Sequence, residues 1–291
     1  MKAFSFIINP VSGHGAQKIE RDISTFLHSQ KNLDGEIHFT KAPGDATLRT
    51  KTALQNGLIP VAVGGDGTVN EVAKCLINTG KSMGIIPHGS GNGIARHLHI
   101  PLNAKQALLN LVLGRETLID TGLVNDIPFV MLVGLGFDAQ IAYKMSLSTT
   151  RGLKTYAKLV LKEWRNFKPV HLDFTLDGNV HSRDGFMFSF ANAAQFGNNF
   201  YIAPKASMQD GLLNIAVLKP FPLTAALSIA WRMATKSIHH SNYMEQFEAK
   251  EVYIAAPQKR INLDGEVVNI NAPLHIKIQP HSLQIICPQQ N

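Results

Sequence analysis

At 291 residues, 45% of them hydrophobic and 17% charged, the chain is long enough for two domains with separate cores and too apolar to be disordered. Two cysteines, Cys75 and Cys287, are too few and too far apart for a disulfide framework or a zinc cluster, and no apolar run reaches membrane-spanning length. The formal charge of +7 asks for an anionic partner, a nucleotide or an acidic lipid surface; with no zinc-finger spacing, no ribonucleoprotein aromatic motif and no block of basic residues, the sequence predicts no nucleic-acid partner.

The chain enters a strand pattern at once, from Ala3 to Asn9, without the basic segment and apolar core of a signal peptide, which predicts a cytoplasmic location. Pro10-Val-Ser-Gly-His-Gly15 reads as a loop where a phosphate site belongs, although it lacks the Gly-Lys-Ser/Thr of a Walker A loop. A helix is expected over 16–29, a strand over 36–40, a helix over 45–55, a strand over 59–63 and a helix over 69–77. This alternation predicts an N-terminal α/β nucleotide-binding domain with a parallel sheet, spanning residues 1–120.

The third strand leads into Gly64-Gly-Asp-Gly-Thr68. Gly64, Gly65 and Gly67 let the backbone turn sharply and open its N–H groups to an anion, and Thr68 starts a helix whose positive end faces the same space. Asp66 would repel bare phosphate there, so it either binds a cation, as a magnesium nucleotide requires, or orients donors. Thr68-Val-Asn-Glu71 also fits a capping box. A further glycine-rich loop, Gly89-Ser-Gly-Asn-Gly93, follows the next apolar run, and in a parallel sheet such loops gather at the carboxyl ends of the strands. His88, His97 and His99 have no acidic ligand at a metal-binding spacing and read as surface or capping residues.

After Asp120 the pattern changes to short strand-like runs at 121–124, 128–134, 170–176, 186–193, 212–218, 250–255, 259–263, 267–270 and 274–278. They predict a mainly antiparallel β-sandwich over residues 121–291, with helical insertions at 150–167 and 223–238. The first insertion lines up Arg151, Lys154, Lys158, Lys162 and Arg165 opposite Leu153, Tyr156, Val160, Trp164 and Phe167. Such a helix either docks on an anionic membrane or covers the sandwich with its apolar side. Asp264-Gly265 is a hairpin turn, repeated at Asp177-Gly178. The repeat has Asn179 where the later turn has Glu266, so Leu-Asp-Gly is structural and only Glu266 argues for chemistry.

Asn9-Pro-Val-Ser-Gly13, Gly64-Gly-Asp-Gly-Thr68 and Gly89-Ser-Gly-Asn-Gly93 together resemble the catalytic domain of the diacylglycerol kinase and sphingosine kinase family of lipid kinases. Gly134-Leu-Gly-Phe-Asp138, Ala203-Pro-Lys-Ala-Ser-Met-Gln-Asp-Gly-Leu212 and Leu263-Asp-Gly-Glu266 extend the resemblance over nearly the whole chain. It implies that Asn9, Thr40, Gly64, Gly65, Asp66, Gly67, Thr68, Val69, Asn70 and Ser90 contact ATP, and that Glu266 is the general base. It also implies a structural Mg2+ held by the Asp210 carboxylate and the main-chain carbonyls of Ser207 and Leu212. Gln209 and Asn214 stand where the family commonly has carboxylates.

The reaction implied moves the γ-phosphoryl group of ATP to a lipid hydroxyl, with Asp66 organising the catalytic Mg2+ and Glu266 taking the hydroxyl proton. The acceptor, a diacylglycerol, a sphingoid base or a related lipid held by the second domain, would be met by peripheral contact with an anionic membrane. A homodimer is compatible with the sequence. The rival readings are an NAD kinase-like phosphotransferase, which resembles this family around Gly-Gly-Asp-Gly-Thr, and a catalytically silent lipid-binding regulatory module. Retention of both Asp66 and Glu266 argues against the silent module.

Overall fold

Three short apolar runs in the first ninety residues, buried on both faces where alternation has no use, become parallel strands together with a half-exposed strand at the sheet's edge. They are β1 (Lys2–Ile8), β2 (Leu33–Phe39), β3 (Ile59–Gly64) and β4 (Ser82–Pro87), in the order β2-β1-β3-β4. Register sets Phe4 beside Ile59, Ile8 beside Val63 and Val63 beside Ile86, so the glycine-rich loops leave the sheet at one level. The crossovers are α1 (Ala16–Ser29), α2 (Asp45–Gln55) and α3 (Asp66–Lys74); α4 (Gly93–His97) and α5 (Ala104–Leu113) follow β4. Ile19 and Ile23, one turn apart on α1, bury against the apolar cluster of Phe4, Phe6, Val61 and Ile86. The computed structural model describes residues 2–13, 15–148, 153–257 and 259–289.

The helix expected over 69–77 begins at Asp66 instead and ends at Lys74. Extended Gly65 (φ −90°) takes the cap position without a side-chain cap, and the capping box does not form. Thr68 Oγ1 instead accepts from Asn9 Nδ2 at 3.2 Å, and Glu71 Oε2 accepts the Gly44 N–H at 3.1 Å. Both partners lie far away in sequence, which is why the local pattern misleads.

After β5 (Arg115–Val124) come β6 (Ile127–Phe129), β7 (Leu132–Gly136), α6 (Phe137–Ser146), α7 (Leu153–Trp164), β8 (Val170–Leu176), β9 (Asn179–Gly185) and β10 (Met187–Ala191). The chain continues through β11 (Gln195–Gly197), β12 (Phe200–Tyr201), β13 (Leu213–Leu218), α8 (Leu223–Ala234), β14 (Met244–Ala249), β15 (Glu251–Ile254), β16 (Ile261–Leu263), β17 (Glu266–Val268) and β18 (Leu274–Cys287). One sheet runs β14-β13-β10-β7-β16-β17; β15, β8 and β9 follow the first part of β18 in the other, and β5 pairs with β18 and β6. Phe188, Phe190 and Ile215 from the first sheet and Phe174, Val252 and Ile276 from the second share one core, which makes this an antiparallel β-sandwich with helices.

Two units emerge: Met1–Ile119 with His281–Asn291, and Asp120–Pro280. The sequence reading assigns all of 121–291 to the second unit, whereas the chain's last stretch returns to the first. β18 is the cause. Its start pairs antiparallel with β15 (Leu274 beside Ile254), while its end pairs parallel with β4 (Gln284 beside Ser82). The helix expected over 150–167 stops at Trp164, so Arg165 and Phe167 lie beyond it. Arg151 lies outside the described residues, and Tyr156, expected on the covered face, is 40% exposed.

Candidate functional site

The three glycine-rich loops of the first unit touch one another. Asn9 turns its loop through Oδ1, which accepts the Val11 N–H at 3.1 Å, and reaches the second loop through Thr68. The third loop is tied to the second where His88 N–H donates to the Gly64 carbonyl at 2.8 Å. A Cβ on Gly89 would come within 2.4 Å of the Gly65 Cα, so glycine is needed for the approach of these two backbones, and one on Gly64 would come within 2.5 Å of Thr68 Oγ1, where it would crowd that side chain. Thr40 follows β2 and donates its N–H to the Ile8 carbonyl at 2.8 Å, which brings it to the same ends of the strands.

Asp66 occupies the junction. Its Oδ1 accepts the Ile94 N–H at 3.2 Å, and its Oδ2 lies where a Cβ on Gly91 would meet it at 2.9 Å. Burial pushes the Asp66 carboxyl above the usual carboxylate range, with backbone N–H groups, those of Gly93 and Ile94 first, pulling the other way. Of the two roles open to Asp66 in the sequence, these contacts favour orienting donors over presenting an open carboxylate to a cation. Thr68, Val69 and Asn70 are buried and shape the start of α3, while Gly67 and Ser90 are exposed and Asn9, Thr40, Gly65 and Asp66 are half-buried. Backbone N–H groups at the start of α3 together with the exposed loop edges suit an anion of several oxygens.

Ser207, Asp210, Leu212 and Glu266 belong to the second unit. In the 207–212 loop, Asp210 Oδ1 accepts the Leu212 N–H at 3.0 Å, and Asp120 Oδ2 accepts the Gly211 N–H at 2.8 Å. Asp120, fully buried at the unit's first position, carries no motif and escapes sequence reading. The Asp210 carboxyl is raised by burial first and then, against the Leu212 N–H, by the charge of Asp120. A carboxylate whose affinity for protons is raised by a neighbouring negative charge also favours a hard cation, so this donor set fits Mg2+. No group of three His, Cys, Asp or Glu side chains gathers as metal ligands among the described residues, so the Ser207 and Leu212 carbonyls and water would have to complete the shell. Asn214 sits buried in β13.

Glu266 is exposed at the start of β17, one residue after Gly265 in a turn with Asp264 and Gly265 both at positive φ (53° and 90°). Asp264 fixes that turn by accepting the N–H groups of Val130, Met131 and Leu132 at 2.7, 2.8 and 3.0 Å. Asp177 does the same in the sister hairpin, accepting from Lys250 and Glu251 at 3.0 and 2.9 Å, which bears out the structural role of Leu-Asp-Gly. Beside the Glu266 hairpin, Asn262 Oδ1 accepts the Gly265 N–H at 2.9 Å and its Nδ2 donates to Asp138 Oδ2 at 2.8 Å. Asp138 is buried, and burial pushes its carboxyl up to about 6. It ends the Gly134-Leu-Gly-Phe-Asp138 motif, and Gly134 has no room for a Cβ beside its carboxylate.

Residues 3–124 match the family model of the diacylglycerol kinase catalytic domain, and residues 131–287 match that of the YegS C-terminal NAD kinase beta sandwich-like domain. The chain is 27% identical over 307 residues to the diacylglycerol kinase of Bacillus subtilis, covering 100% of this chain and 98% of that one. It is 28% identical over 272 residues to a diacylglycerol kinase of Staphylococcus aureus, covering 91% and 86%. Two crystal structures of Bacillus anthracis proteins share the fold, with TM-scores of 0.80 and 0.75 at 23% and 21% identity. They cover 98% of this chain and 95% and 96% of their own. The chain belongs to the family that joins a diacylglycerol kinase catalytic domain to a YegS-type C-terminal sandwich, and it is a kinase.

Proposed function

We propose that this kinase transfers the γ-phosphoryl group of ATP to a hydroxyl of a membrane lipid, diacylglycerol or a close relative. The observation that carries the reading is the junction at Asp66, where two glycine-rich loops of a kinase-family domain are tied together beside the first turn of α3. In this reading Asn9, Thr40, the 64–70 segment and Ser90 hold the nucleotide, and Asp66 keeps the loops in register. Asp210, the Ser207 and Leu212 carbonyls and the nearby Asp120 would hold a structural Mg2+ that ties the 207–212 loop of the second unit. Glu266, solvent-exposed and raised on a rigid turn, accepts the proton of the acceptor hydroxyl as the bond to phosphorus forms.

Transfer of radiolabel from ATP to a panel of diacylglycerol, sphingoid base, ceramide and phosphatidylglycerol, with NAD as a further arm, tests the reading. Label should enter a lipid and not NAD. The NAD arm is included because the sandwich's family description names NAD kinase, and label in NAD alone would overturn the lipid assignment. Glu266→Gln is expected to lower turnover by roughly a hundredfold or more with ATP binding retained; equal losses in both would make Glu266 a binding or turn residue.

A further inference from the structure

The outer face of α8 lacks a partner among the described residues. The helix reads Leu-Thr-Ala-Ala-Leu-Ser-Ile-Ala-Trp-Arg-Met-Ala, apolar on every side except at Thr224, Ser228 and Arg232. Helices of that composition are ordinarily enclosed. Here Ile229 alone is fully buried, while Leu223, Leu227 and Trp231, four residues apart in succession, stand 61%, 84% and 65% exposed. They form one stripe directed away from the sandwich.

The charge around the stripe is one-sided. From Gly211 to Met244 the sequence contains no Asp or Glu. Lys219 is answered by Glu245 at 2.9 Å, but Lys236, exposed two residues beyond the helix, rests over the Tyr201 ring at 4.7 Å, and Arg232 donates to the Ser237 carbonyl at 3.4 Å. An apolar stripe ending in a tryptophan and bordered by cations is complementary to the headgroup and upper acyl region of an anionic bilayer. A second copy of the chain is a poorer occupant. A two-fold contact through the stripe would set Arg232 and Lys236 near their own copies, with no acidic residue in the segment to answer them.

We infer that α8 is an interfacial anchor whose Leu223, Leu227 and Trp231 insert into an anionic membrane. The inference rests on the lipid-kinase reading only for the presence of a bilayer at the place of work, and the binding measured below needs no turnover, so either can fail alone. Trp164 and Trp231 are the chain's two tryptophans. In a Trp164→Phe background, vesicles of phosphatidylglycerol should shift Trp231 emission to the blue, and brominated acyl chains should quench it. Leu227→Gln with Trp231→Gln should weaken sedimentation with those vesicles by about tenfold or more, while Val180→Gln, an equally exposed apolar residue on β9, should not. Unshifted emission, or binding that survives the double substitution with an unchanged melting temperature, would overturn the anchor. A lipid-free dimer that the double substitution converts to monomer would overturn it in favour of self-association.

Discussion

Asp138 is 5% exposed, and its described hydrogen-bond donor is the Asn262 amide, so burial makes its charged form unfavourable and the group keeps its proton up to about pH 6. The unfolded chain gives up that proton near the ordinary carboxylate value of about 3.9. Below that value both states are protonated and the folded protein has the full benefit; as pH rises toward 6 the folded state binds more protons than the unfolded one, and stability falls. The whole loss is of the order of 3 kcal/mol, complete above the folded value and flat from there. Asp138→Asn keeps an acceptor for Asn262 and removes the charge. It should raise the melting temperature by several degrees at pH 8 and leave it unchanged at pH 4. An equal gain at both pH values would assign the effect to packing. Gly134-Leu-Gly-Phe-Asp138 was visible as a motif, but its meaning was not, because Asn262 lies 124 positions away. Distance in sequence also hides Asp120, whose acceptor role toward Gly211 depends on a loop 91 positions later.

Elements with a strong period were legible. Helices α1 and α2 fall on their expected residues because Ile19 and Ile23 mark one face of the first, and Ala46, Thr50 and Ala53 one face of the second. Polar strands were not: β9, Asn-Val-His-Ser-Arg-Asp-Gly, is an edge strand half open to water, and β14 carries Glu245, Gln246 and Glu248. Their strand character comes from neighbours, β8 and β13, rather than from their own composition. The basic helix α7 is intermediate. Lys158 and Lys162 are exposed as expected, yet Glu163, next to Lys162, turns to α6, meeting Gln140 at 3.0 Å and Lys144 at 3.6 Å. Lys158→Glu with Lys162→Glu should weaken binding to phosphatidylglycerol vesicles by roughly ten- to a hundredfold at low salt, since each charge near the surface is worth about 1 kcal/mol. That loss should shrink in high salt, whereas the loss from the α8 substitutions should persist, because only the first is screened. Activity on lipid in neutral micelles should be little changed by the lysine substitutions; a matching fall there would place α7 in the acceptor pocket instead.

At the scale of the molecule, the break in pattern near Asp120 marks a change of architecture, and the return of the chain is not legible because the expected run stops at 278, short of Pro280, whereas β18 continues to Cys287. Leu283, Ile285, Ile286 and Cys287 from its end are buried, and Asn110 Nδ2 donates to the Ile286 carbonyl at 3.1 Å. Asn78 N–H donates to the Ser282 carbonyl at 2.7 Å. The first unit therefore contains a strand that its own continuous segment does not encode. Burying three large aliphatic side chains contributes roughly 5–9 kcal/mol, similar to the whole stability of an ordinary domain. A fragment of residues 1–119 should then be unfolded or aggregated at 25 °C, and the same fragment joined through a flexible glycine-serine linker to residues 281–291 should show cooperative thermal unfolding. Amide exchange gives an independent measure: in the intact protein the N–H groups of β4 should exchange as slowly as those of β3, whereas removal of residues 281–291 should leave β4 an unprotected edge. Cooperative folding of 1–119 alone would mean that β4 closes the sheet without β18, and that the C-terminal strand is an accessory to the first unit.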